Sequence, residues 1–220
     1  MPTDYYPTIL IPAYQPNENL VKLIKALRQA RAKQRIIVVD DGSDADKQII
    51  FSKIQHLNVE LLQHTKNKGK GQALKTGFQY WLATSHPRDL GLVTADADGQ
   101  HLPQDILHLC DAFMQKPSDL YLGKRTFNKV PIPWRSRIGN KLTKYTLRLF
   151  SKTDLEDTQT GLRAIPRKLL PALLSSNATG YEFELEMILI AEENQVLIQE
   201  IPIKTVYIDH NNSSHFNPLI

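Results

Sequence analysis

The sequence predicts an α/β fold: a mainly parallel central sheet flanked by helices. Two observations carry this. Short apolar, β-branched runs alternate with segments of helical period. Polar clusters rich in Asp, Gly and Lys follow directly after several of those runs. Strands joined by helices of this length imply βαβ units with right-handed crossovers. In such sheets ligands bind beyond the carboxyl ends of the strands, so the polar clusters are expected to converge on one edge.

Taken in order, Thr8–Ile11 is a short apolar run closed by Pro12 and reads as a buried first strand. From Asn17 to Arg31 the apolar residues Leu20, Leu23, Ile24 and Leu27 fall at helical spacing, with Asn17 or Asn19 as cap. Ile36–Val39 is β-branched throughout and reads as a strand buried on both faces. The Asp41-Gly42-Ser43-Asp44 turn ends it and offers a cap to a helix over Ala45–Gln55. Val59–Leu62 is a third strand, Gly69–Thr84 a helix, and Leu90–Thr94 a fourth strand that ends in acids. Pro103–Met114 is a helix with proline in its first turn, followed by a strand at Leu120–Leu122. Leu162–Ile165 and Val196–Ile203 are further strands, and Tyr181–Glu193 a further helix.

The chain has 220 residues and suits one domain over residues 1–210, with 211–220 as a loop-like C-terminal tail. At 41% hydrophobic and 23% charged it is neither disordered nor low-complexity. A single cysteine, Cys110, excludes a disulfide framework and suggests a reducing compartment. The net charge of +4 does not by itself point to nucleic acid, and none is expected as a partner. No apolar run reaches the roughly 18 residues of a membrane span. The N-terminal residues lack the basic and apolar regions of a signal peptide.

Three clusters carry candidate chemistry. Asp96-Ala97-Asp98, with Gln100 and His101 behind it, places two carboxylates at the end of a buried strand. Such a pair is either a solvated acidic turn or a site for a hard divalent cation, whose preferred ligands are oxygens. Val39-Asp40-Asp41-Gly42-Ser43 is a second acid pair, readable as a helix-capping turn or as an acceptor for base and ribose hydrogen bonds. Asn67-Lys68-Gly69-Lys70-Gly71 opens a helix and is either a solvated loop or a phosphate-attracting helix start; it is not a P-loop. Beyond these, Leu120–Thr153 contains no acid over 34 residues and includes Arg125, Arg135 and Arg137. Within it, residues 135–150 read as a basic amphipathic helix, suited to a surface role or to anionic headgroups.

The order of these motifs, closed by Asp157-Thr158-Gln159-Thr160-Gly161-Leu162-Arg163, resembles the family 2 glycosyltransferases. Within them it is most similar to the polyprenyl- and dolichol-phosphate sugar transferases. The resemblance covers Thr8 to Ser214. It implies a GT-A fold, a UDP- or GDP-linked sugar donor, a polyprenyl phosphate acceptor and Mg²⁺ or Mn²⁺. It implies that Pro12, Ala13, Tyr14, Asp41 and Lys70 bind the nucleotide, and that Asp96, Asp98 and Gln100 meet the metal. Arg125 and Arg137 would face the acceptor phosphate. Asp157 and Gln159 would lie over the sugar, and Asp98, Asp157 and Arg125 would take part in catalysis. Glu182-Phe183-Glu184 matches an acidic stretch at a helix start beneath the site. One departure stands out: the first loop reads Pro12-Ala13-Tyr14-Gln15-Pro16-Asn17-Glu18, so its usual acid is missing or displaced to Glu18. Many members also continue into transmembrane helices beyond the point where this sequence ends. The implied activity is inverting sugar transfer at the cytoplasmic face of a membrane. The alternatives are a saccharide acceptor, with Asp157 as base, and a nucleotide-binding module without turnover.

Overall fold

The computed structural model describes residues 6–126 and 155–204. Residues 135–150, Arg137 and the 211–220 tail therefore lie outside the described residues.

Among the described residues, seven strands form one sheet in the order β3-β2-β1-β4-β6-β5-β7. They are β1 (Thr8–Ala13), β2 (Ile36–Asp40), β3 (Glu60–Gln63), β4 (Gly91–Thr94), β5 (Leu120–Thr126), β6 (Arg163–Pro166) and β7 (Ile198–Lys204). The helices are α1 (Glu18–Ala30), α2 (Gln48–Gln55), α3 (Lys70–Thr84), α4 (Pro103–Gln115), α5 (Leu170–Ser175) and α6 (Glu182–Glu193). Strands β3, β2, β1 and β4 pair in parallel, as do β5 and β7. The exception is β6, which runs antiparallel to both β4 and β5.

Side chains alternate across a strand, and the core obeys that rule. Ile9, Ile11, Ile36 and Val38 pack on one face with Leu20, Ile24, Phe51 and Phe113 from α1, α2 and α4. Leu10, Ile37 and Val39 pack on the other with Phe78, Trp81, Leu173, Phe183 and Met187 from α3, α5 and α6. The β-branched run at 36–39 is thus buried on both faces, and all five residues of β2 are buried.

Several boundaries differ from expectation, each for a local reason. Strand β1 runs through Pro12 to Ala13. The missing N–H of Pro12 is tolerated because pairing with β4 extends only to Leu10↔Thr94, while the β2 side continues to Ala13↔Asp40. The expected helix over Ala45–Gln55 begins as a 3₁₀ turn at Ala45–Lys47, and Asp44 makes no side-chain capping bond. Of the two candidate caps for α1, Asn17 is the one that accepts from the Asn19 N–H. Helix α5 was not expected. It spans six residues, too short for a periodic signal, and begins beside Pro171. Among the described residues no helix is long and apolar enough to cross a membrane.

Candidate active site

The carboxyl ends of β1, β2, β4 and β5 carry the polar clusters, and two charged centres form there. The first is built on Asp96, just beyond β4. Its Oδ1 lies 2.6 Å from Lys70 Nζ, and its Oδ2 lies 3.1 Å from His101 Nε2. Lys70 reaches Glu184 Oε2 at 3.0 Å as well, and its ammonium sits 5.6 Å from the Tyr181 ring centre. Asp98 accepts the Gln100 N–H on Oδ1, and its carbonyl accepts Asn19 Nδ2 at 2.9 Å. Helix α1 thereby holds the acidic loop in place.

Electrostatics differ sharply between the two acids. Burial pushes Asp96 up, but Lys70 and His101 outweigh it and hold this carboxyl well below the usual carboxylate range. Burial raises Asp98, and the charge of Asp96 raises it further. Burial would lower Lys70, yet Asp96 and Glu184 keep its ammonium above its ordinary value.

Lys70 and Glu184 meet because α3 and α6 start face to face. A Cβ on Gly71 would stand 2.7 Å from the Phe183 Cβ and 2.8 Å from the Thr179 carbonyl carbon, so only glycine admits this approach. The Gln72 N–H donates to the Thr179 carbonyl across the same seam.

Two amides of the 67–71 loop are turned inward. The N–H groups of Lys68 and Gly69 both donate to the buried Asp41 carboxylate at 2.9 Å. Asp41 is 2.6 Å from His64 Nδ1, and His64 Nε2 is 2.9 Å from Thr76 Oγ1. The structure therefore gives Asp41 a loop-anchoring task. Its neighbour Asp40 accepts the Ser43 N–H and lies 3.3–3.4 Å from the amides of Gln48 and Gln63. In the first loop, Pro12 and Ala13 are buried in β1 and Tyr14 is exposed. Gln15 takes a positive φ of 51° and donates its N–H to Ser43 Oγ. Glu18 pairs with Lys53.

The second centre joins β5 to the 155–162 loop. Arg125 donates from Nε to Asp157 Oδ2 at 2.6 Å and from Nη2 to Oδ1 at 2.9 Å, a two-pronged pair. The backbone N–H groups of Arg125 and Gln159 also donate to Asp157, whose own N–H donates to Glu200 Oε1. Burial would raise Asp157, but Arg125 outweighs it and the carboxyl is held below its usual range.

One loop connects the two centres. A Cβ on Gly161 would stand 2.3 Å from Asp96 Oδ2, so this glycine lets the loop lie against the acid. Beneath it Arg163 is fully buried and donates to three carbonyls, those of Thr158, Thr160 and Glu184. Arg163 thus ties the loop to the start of α6. Sequence reading quoted Arg163 within a motif but gave it no task. It also missed the bonds of Asn19, His64 and His101, whose signal lies only in tertiary contact.

The sequence matches the model of Glycosyl transferase family 2 over residues 8–174. The chain belongs to family 2 of the glycosyltransferases. A UDP-N-acetylglucosamine–dolichyl-phosphate N-acetylglucosaminyltransferase of Methanococcus voltae is 30% identical, over 96% of this chain and 90% of the relative. A polyprenol monophosphomannose synthase of Mycolicibacterium smegmatis is 28% identical, over 89% and 75% respectively. Among solved structures, a glucosyl-3-phosphoglycerate synthase of Mycobacterium tuberculosis, solved with Mn²⁺, UDP and glucosyl-3-phosphoglycerate, superposes with a TM-score of 0.72. At 18% identity, over 91% of this chain and 71% of that one, this likeness speaks to the fold, which is GT-A.

For a family 2 glycosyltransferase the donor set around Asp96 fits a divalent ion in one particular way. Among the described residues no group of three His, Cys, Asp or Glu side chains is arranged to hold a metal. Asp96 and Asp98 offer hard oxygens, and the charge of Asp96 raises the cost of ionising Asp98, a repulsion that a cation relieves. Two carboxylates completed by substrate phosphate oxygens is the arrangement magnesium commonly takes.

Proposed function

We propose that this glycosyltransferase moves a sugar from a UDP- or GDP-linked donor to a polyprenyl phosphate, with a divalent ion, at the cytoplasmic face of a membrane. The observation that carries this reading is the bridging of the Asp96 and Arg125–Asp157 centres by one loop. One centre is acidic and suited to a metal-bound diphosphate. The other presents a guanidinium suited to an anionic acceptor. The names of the two relatives support the same acceptor class.

Transfer with inversion requires the nucleoside diphosphate to leave as the acceptor attacks. A divalent ion bound at Asp96 and Asp98 would supply Lewis-acid stabilisation of the leaving charge. Lys70, on the same acid, adds a protein cation beside it. A phosphate acceptor is already anionic and needs no base, whereas a saccharide hydroxyl does. Asp157 is poorly placed as that base. Both its oxygens are engaged by Arg125, which lowers its proton affinity. Its task here is to orient the Arg125 fork towards the acceptor phosphate. Pro12, Ala13 and Tyr14 serve the nucleotide side, where Asp41 acts through the 67–71 loop it anchors. Gln100 and Gln159 complete the metal and sugar sides, and Arg137 adds a second acceptor cation.

The test is nucleotide release from UDP- and GDP-sugars with Mg²⁺ or Mn²⁺, with and without a short polyprenyl phosphate. Release requiring both metal and lipid is the expected result. Equal release with a soluble saccharide in place of lipid would overturn the acceptor assignment.

A further inference from the structure

Asp96, read above as a metal ligand, is bonded on both oxygens by the protein itself, to Lys70 on one and His101 on the other. We propose that Lys70 is a tethered counter-cation that competes with the divalent ion for Asp96, and that Glu184 is the seat to which it withdraws. The inference rests on the metal assignment of Asp96 and Asp98.

The geometry favours an exchange over a fixed pair. Lys70 Nζ bridges two carboxylates, 2.6 Å from one and 3.0 Å from the other, so it can surrender the first without losing all charge compensation. An ammonium on a four-carbon stem is a mobile point charge with three donors, unlike a guanidinium fork. A divalent ion and an ammonium repel, and both cannot occupy one carboxylate oxygen. The retreat is short and fixed in place. Glu184 is held by the first turn of α6, its carbonyl is bonded by Arg163, and Gly71 sets the seam that brings α6 to Lys70. Glu184 keeps its own bond to the ammonium, so the displaced Lys70 stays nearby. There it faces the diphosphate that would arrive with the metal.

The consequence is ordered loading. Metal alone meets an internal competitor, while metal together with a diphosphate gives Lys70 a new anionic partner. Glu184 is therefore a positioning residue for Lys70.

The experiment is Mn²⁺ binding to the full chain, read by the loss of the free Mn²⁺ resonance signal, with and without UDP or GDP. Lys70→Met is expected to bind Mn²⁺ at least tenfold more tightly than wild type without nucleotide, and to gain less affinity when nucleotide is added. Lys70→Arg keeps the competitor as a less mobile fork and is expected to bind Mn²⁺ no more tightly than wild type. Glu184→Gln removes the retreat and is expected to weaken Mn²⁺ binding severalfold. Unchanged or weaker Mn²⁺ affinity in Lys70→Met overturns the proposal. If that variant does not fold by circular dichroism, unchanged affinity in Glu184→Gln overturns it instead. The underlying metal reading fails separately, and takes this inference with it, if wild type shows no Mn²⁺ binding even with both nucleotides, or if Asp96→Asn binds as wild type does.

Discussion

The two charged centres are balanced differently. At the first, Asp96, Asp98 and Glu184 lie with Lys70 and His101 above the buried Arg163, and burial together with the charge of Asp96 raises Asp98. At the second, one guanidinium and one carboxylate pair fork to oxygen pair and close their charge between them. The first asks for a cation from outside. The second pairs its guanidinium and carboxylate directly. That difference supports the proposed placement of metal and diphosphate on one side and the anionic acceptor on the other, and it can be broken experimentally in four ways.

The largest effect is expected from Asp98→Asn. If the acidic centre works through a bound divalent ion, nucleotide release falls by on the order of 10²–10³-fold. A loss under threefold would remove the basis of the comparison. Next comes Arg163→Met, which leaves the Thr158, Thr160 and Glu184 carbonyls buried without their donor. A cost of about 3 kcal/mol is expected, seen as a melting temperature lower by about 6–12 °C. Because this residue sits under both centres, donor and acceptor parameters should worsen together. Arg125→Lys keeps the charge and removes the fork. kcat/KM for polyprenyl phosphate is expected to fall about tenfold, while the donor KM stays within twofold. A donor-side change of equal size would merge the two centres into one. The smallest effect is on acid stability. Asp157 has its proton affinity lowered by folding, so its stabilisation is present above the unfolded carboxylate value near 4 and is lost as pH falls through the lower folded value. Asp157→Asn should flatten the acid limb of the stability curve below about pH 4, measured by urea unfolding. An unchanged limb would mean that Arg125 contributes nothing through this pair.

Legibility in the sequence followed the same division. The β3-β2-β1-β4 half was readable because its strands are apolar runs spaced by periodic helices, and parallel pairing follows from crossover length. The β6-β5-β7 half was readable only as isolated strands. Nothing in Leu162–Ile165 encodes direction, and the antiparallel insertion of β6 between β4 and β5 is a tertiary outcome. At the site, Asp96, Asp98, Lys70, Arg125 and Asp157 were recognisable as motif residues. Their pairings were not, because Lys70 and Glu184 are 114 positions apart and Arg125 and Asp157 are 32 apart. The loop at 67–71 shows the limit most clearly. Its glycines suggested amides open to phosphate, whereas two of those amides serve the Asp41 carboxylate.

Residues 155–162 touch Arg125 through Asp157 at one end and lie against Asp96 through Gly161 at the other. A chimaera that imports this loop from a relative with another acceptor would therefore carry an unwanted change to the surroundings of Asp96. Any residue larger than glycine at the far end would push Asp96 aside before acceptor preference could be measured. Acceptor range in this architecture is expected to diversify through point changes that respect both anchors, and wholesale loop grafting should yield inactive enzymes more often than redirected ones.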